Sequence, residues 1–208
     1  MPLRNRVNPY GDIVADPSKA AMLMGNRGIL HNDQREVVRS WRTTAWLTCD
    51  PHFKHVDRKP LFQPHRYSEL FFLDEATAFA AGHRPCSYCQ RVRLEQFKRA
   101  WESAFPQAGA LVSAPVIDDM LHRHRIGKSS TKVTFASTIG ALPDGTFIEA
   151  DGRPYLLHDG RRLPWSFAGY GAAEPAKDDS QVTVLTPRCI VEVFKVGFAP
   201  HVHESANA

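Results

Sequence analysis

Apolar positions along the chain switch between a period of two and a helical period, and the switches mark out the elements. β-branched and aromatic residues crowd residues 37–48 (VVRSWRTTAWLT), which predicts one or two strands. Residues 61–73 end in SELFFL and predict another strand. Asp74 follows as a helix N-cap with Glu75 in the first turn, where an acid suits the helix dipole. The helix EATAFAA should then stop at Gly82, a residue free to adopt a left-handed backbone. From about Tyr88 a longer helix is expected. Leu94, Phe97, Trp101 and Ala104 fall on one face of it, Arg91, Glu95, Lys98 and Glu102 on the other, and Pro106 ends it. A short helix is expected over residues 18–24, after Asp16-Pro17, and another from Pro115 with Val116, Ile117, Met120 and Leu121 inward. The remainder reads as β-rich. Asp144-Gly145, Asp151-Gly152 and Asp159-Gly160 each sit where apolar segments meet, as hairpin turns do. They imply a meander through 146–148, 154–157 and 163–165, then an exposed loop over 172–180 and a strand over 181–185. Thr186 is expected to cap a last helix with Pro187 at its first position and Gly197 at its close.

This order of elements predicts an α+β fold. Residues 1–108 would carry a small zinc-stabilised α/β subdomain, at about 42–105, and residues 109–208 a β-meander with flanking helices. The boundary would fall near 106–115, unless the two halves pack as one domain. The 208 residues, 43% hydrophobic and 23% charged, are ordinary for a globular protein with a real core. The start of the chain lacks the apolar stretch of a secretory signal, and no apolar run approaches the roughly 20 residues that span a bilayer. The expectation is a cytoplasmic protein without a membrane partner. A net charge of +4 leans toward polyanionic partners.

Cysteine spacing changes the picture most. In a reducing compartment the pair Cys86-Ser-Tyr-Cys89 reads first as metal-binding, with a redox pair or plain buried thiols as alternatives. Two residues between the thiols let both reach one ion where a loop enters a helix. Tetrahedral zinc needs two further ligands. Cys49 ends a strand-like run upstream, with His52 and His55 behind it, so Cys49, His52, Cys86 and Cys89 form the expected set. His55 and His83 are alternatives to His52. Cys189, among Ile190, Val193 and Phe194, reads as core.

Residues 71–90, FFLDEATAFAAGHRPCSYCQ, resemble the second half of the Ada-type zinc module, the N-terminal domain of bacterial adaptive-response methyltransferases. Residues 42–49, RTTAWLTC, resemble the segment bearing that family's first cysteine, with one extra residue before it. The likeness spans residues 42–91. It implies zinc held against DNA phosphates, and a Cys49 thiolate able to take a methyl group from a phosphotriester. The family has four cysteine ligands, and its second falls where this chain has Phe53 beside His52. A neutral imidazole in place of a thiolate lowers the negative charge of the site and the nucleophilicity of the other sulfurs. The likeness therefore implies structural zinc more than methyl transfer.

The basic residues Arg42, Arg84, Arg91, Arg93 and Lys98 surround this segment and are the candidates for phosphate contact, against the alternative of solvated helix faces. Trp41, Trp46 and Tyr88 could stack bases or belong to the core. Asp118 and His122, four apart on one helix, could act as an acid–base or metal pair. They motivate the alternative of a hydrolase or nuclease with its chemistry in the C-terminal half. His31 and the pair His201/His203 are weaker candidates, the latter expected in a frayed tail.

Overall fold

The computed structural model describes residues 2–55, 57–106, 112–127 and 130–207. Its first sheet collects β1 (Arg4–Val7), β2 (Ile13–Ala15), β3 (Leu23–Asn26), β4 (Leu47–Cys49), β5 (Leu70–Phe72) and β6 (Arg84–Pro85), in the order β2-β1-β5-β3-β4-β6. Between β5 and β6 runs the helix α1 (Glu75–Ala80), followed by α2 (Arg91–Ala104) and α3 (Ala114–Arg125). The second sheet holds β7 (Phe135–Thr138), β8 (Phe147–Ala150), β9 (Arg153–His158), β10 (Arg161–Ser166), β11 (Gly169–Tyr170), β12 (Glu174–Pro175) and β13 (Gln181–Val184). Its order is β11-β10-β9-β8-β13-β7, with β12 on β10. The helix α4 (Arg188–Lys195) follows. The fold is α+β. No helix among the described residues is long and apolar enough to cross a membrane.

α1 is the hub. All six of its residues are buried, and its two sides belong to different cores. Phe79 joins Leu94, Phe97 and Trp101 of α2, Ile117 and Leu121 of α3, and Ile190, Val193 and Phe194 of α4. Ala76 and Ala80 join Phe147, Leu156 and Leu163 of the second sheet. Both of these clusters draw side chains from the two sides of the expected boundary near 106–115, while a third lies wholly before it and a fourth wholly after. The predicted cap is present. Asp74 accepts from the Thr77 N–H at 2.8 Å, and its carboxylate also accepts from the Tyr170 hydroxyl at 2.6 Å and the His203 N–H at 3.0 Å. His201 donates its N–H to Glu75 at 2.8 Å, so the tail expected to fray is tied to α1.

Four other expectations are corrected. Residues 18–24 form no helix: the Ser18 carbonyl accepts from the Arg6 guanidinium, the Met22 N–H donates to the Leu73 carbonyl, and Leu23 pairs with Phe72. These backbone groups are committed to extended partners. Of residues 37–48 only the last two are strand, continued by Cys49, because before them the chain runs as a loop that donates from Arg42 and Thr43 to the Arg27 carbonyl. Asp144-Gly145 is a turn into β8, closed by the Thr146 N–H on the Pro143 carbonyl, rather than a hairpin, with the Gly145 N–H bonded to the Leu157 carbonyl. The other two pairs are hairpin turns with both central residues at positive φ, 52° and 71° at Asp151-Gly152 and 50° and 67° at Asp159-Gly160. Finally, the Thr186 hydroxyl accepts from the Phe147 N–H at 2.8 Å and so pins β8, leaving Pro187 at the N-cap of α4.

Candidate metal centre

The three cysteines are brought together by one strand pairing. β4 and β6 run parallel, with Leu47 opposite Arg84 and Thr48 opposite Pro85. The Cys86 N–H then donates to the Thr48 carbonyl at 3.0 Å, which sets the residue leaving β6 beside Cys49, the last of β4. β4 is held from its other side by β3, where Gly25 lies so close that a Cβ would stand 2.3 Å from the Leu47 carbonyl oxygen. Only glycine fits there. A tight turn over residues 86–90 brings Cys89 back, and α2 starts at Arg91 with its positive end toward the sulfurs.

The sulfur atoms of Cys49, Cys86 and Cys89 all lie within 4.8 Å of one another. The Cys49 thiol donates to Cys86, and this bond, with the backbone N–H groups of Cys89 and Tyr88, brings the Cys86 thiol down to about 5 against the opposing effect of burial. The same bond, and then burial, pushes Cys49 far up, and burial raises Cys89. One sulfur is thus poised as thiolate, while its neighbours hold protons that a bound cation would displace. Three thiols, one at a strand end and two in the turn before a helix, are the donor set of a soft or borderline metal, and zinc fits them.

No histidine among the described residues shares this cluster. His52 and His55 are exposed on the loop just beyond β4, where Asp50 caps the His52 N–H at 2.8 Å. That loop is fastened to the cysteine turn. Lys54 donates to the Tyr88 hydroxyl at 2.8 Å, and the Phe53 and Tyr88 rings meet edge to face at 5.2 Å. His83 is elsewhere, buried against Phe72 and Trp46, with its Nε2 3.2 Å from the Arg27 Nε.

Two of the five basic candidates are engaged inside the protein. Arg84 is buried in a two-pronged ion pair with Asp118, 2.7 Å on each prong, and Arg93 grips Glu75 and the Ala199 carbonyl. Arg42 and Arg91 are exposed and Lys98 is half-buried. Asp118 has both oxygens on Arg84, and His122 packs on Trp41 with its Nδ1 3.2 Å from Arg125, so the two expected partners face different groups. Of the three aromatics, Trp46 is core and Tyr88 is 67% exposed at the rim of the cysteine cluster. His31 is buried, stacked on Phe62, and Cys189 is buried. A second group of possible ligands brings Asp144, from the turn before β8, beside His158 and Asp159 at the β9–β10 turn.

Sequence reading missed the cationic cluster around Trp46. Arg27 and Arg125, far apart in sequence, both place a guanidinium carbon 3.9 Å from its ring centroid. No local pattern announces such a pairing.

Fold and site together define an α+β protein with a three-cysteine cluster able to hold a metal ion. Compared with known proteins, the chain matches no protein family, no curated protein and no solved structure.

Proposed function

We propose that the chain is a zinc-binding protein of the Ada-like kind, whose zinc is mainly structural and whose zinc-bearing face docks on DNA. The convergence of three cysteine sulfurs from two separate segments carries the first half of this reading. A metal there would cross-link the end of β4 to the start of α2, a bond between distant pieces of chain that a reducing compartment denies to disulfides. His52 is the proposed fourth ligand, with His55 next, since both lie on the loop that Lys54 fastens to the cysteine turn.

The second half rests on the surroundings of the cluster. His52, Lys54, His55, Tyr88 and Arg91 are all exposed beside it, a basic rim with one aromatic ring among the charges. Such a rim suits phosphates and an unstacked base. The chain's net charge of +4 and its resemblance to a phosphate-contacting zinc module point the same way.

The test is fluorescence anisotropy of labelled duplex and single-stranded DNA across a salt series. Binding should weaken linearly on logarithmic axes, and Lys54→Ala and Arg91→Ala should each lower the slope by about one. Removal of the metal should abolish binding. Absence of binding at low salt would end the DNA reading and leave the zinc reading standing.

A further inference from the structure

Between the first sheet and the end of α3 lies a cavity of about 460 Å³ whose wall is strongly cationic. Arg4, Arg27, Arg39, Arg125 and Lys132 line it, against the single carboxylate of Asp12. Two of these cations are almost fully buried, Arg27 at 1% and Arg125 at 2% exposure. Burying a charge costs several kcal/mol unless an opposite charge or a full set of hydrogen bonds compensates. Among the described residues no carboxylate lies within ion-pair distance of Arg27, Arg125 or Lys132.

Neutral acceptors instead hold each cation in place. Arg27 donates through Nη1 to the Gly11 carbonyl at 2.9 Å, Arg125 through Nη1 to Gly82 at 2.8 Å, and Lys132 to Ala80 at 2.7 Å. Gly82 itself, at φ 84°, is where a Cβ would collide with the Arg125 side chain at 2.5 Å, so the chain makes room for this arginine. The anchoring leaves donors over. Among the described residues, the buried Nη2 of Arg27 and Nε of Arg125 have no hydrogen-bond partner. The cations also repel one another: Arg27 and Arg125 are each brought down to about 9 and Lys132 to about 7, burial being the first cause in every case. Arg125 lowers Arg27 further, and Arg27 lowers Lys132, while Asp12 raises both.

The geometry points to a binding site for a phosphate monoester: Arg27, Arg125 and Lys132 would receive the phosphate, and the apolar wall of the cavity its organic part. A phosphate carries nearly two charges and three acceptor oxygens at neutral pH, and its spacing suits a guanidinium fork, whereas one carboxylate would leave the excess of positive charge largely unmatched. The cavity is of ligand size rather than ion size, and Ile13, Val37, Val38 and Ile126 give it an apolar side. Such a ligand could be a free small molecule or the 5′ end of a nucleic acid strand. The site is independent of the cysteine cluster.

Calorimetric titration of the metal-loaded full chain at about 150 mM salt, where surface attraction is screened, tests this. The probes are inorganic phosphate, deoxyadenosine 5′-monophosphate, deoxyadenosine, and one oligonucleotide with and without a 5′-phosphate. The monophosphate should bind at least about tenfold more tightly than the nucleoside, and Lys132→Met and the exposed Arg39→Ala should each cut that preference severalfold. Arg39→Ala keeps the test valid if Lys132→Met fails to fold. A matching preference for the phosphorylated oligonucleotide would identify a strand end as ligand, and preference for the monophosphate alone a free metabolite. Equal binding of nucleotide and nucleoside, or phosphate binding unchanged in both variants, would overturn the proposal.

Discussion

Both carboxylate oxygens of Asp118 accept from one guanidinium, and the side chains of this pair with Arg84 are only 8% and 5% exposed. Removing one partner of such a pair leaves the other charge buried and uncompensated. Asp118→Ala should therefore cost about 3–5 kcal/mol in urea denaturation. A loss under about 1 kcal/mol would show that Arg84 finds another partner. Because Arg84 belongs to β6, two residues before Cys86, the same variant should also bind metal more weakly. His83 makes a different prediction. Burial first, then Arg27 and Arg125, holds its pKa well below the ordinary value, so it is neutral in the fold. The unfolded chain protonates it near pH 6.5 and the folded chain does not. Below that pH the unfolded state binds more protons, so stability present above about pH 6.5 is lost as pH falls, at about 1.4 kcal/mol per unit for this one group. His83→Gln should flatten that slope by about one proton between pH 6.5 and 5, and equal slopes in variant and parent would contradict the assignment.

α1 shows how much one short element can carry. Asp74 caps it and also receives the Tyr170 hydroxyl and the His203 N–H, which tie the helix to the second sheet and to the chain's end. Asp74→Ala removes the cap and strands two donors, a loss of about 3 kcal/mol that thermal melting would show. The cap, Gly82, the buried stripe of α2 and two of three Asp-Gly hairpins were legible in the sequence, because each is decided by residues within a few positions of one another. The strand over 23–26 was not. Its backbone partners are β4 and β5, and no signal inside residues 18–24 reveals that long-range pairing outweighs local helical preference. The reverse holds for residues 37–46. They carry strand-forming residues, and most of them find no neighbouring strand. In the candidate metal site the three cysteines were legible from identity and spacing, but what aligns them, the parallel contact of β4 with β6, was not.

The molecule is organised around a core that ignores the middle of the sequence. Leu94, Phe97 and Trp101 of α2 are buried by α3 and α4, so a chain ending at residue 108 would expose them. It should aggregate or lack cooperative unfolding; a soluble fragment with a sharp melting transition would contradict a shared core. At this scale the cysteine cluster lies where β4, β6 and α2 meet, so a metal bound there would staple the first sheet to the helical layer. X-ray absorption at the zinc edge, on protein purified without chelators, tests that claim most directly. One zinc per chain with three sulfur neighbours near 2.3 Å and one lighter ligand is the predicted result. Protein without stoichiometric metal, or a metal with fewer than three sulfurs, would contradict it.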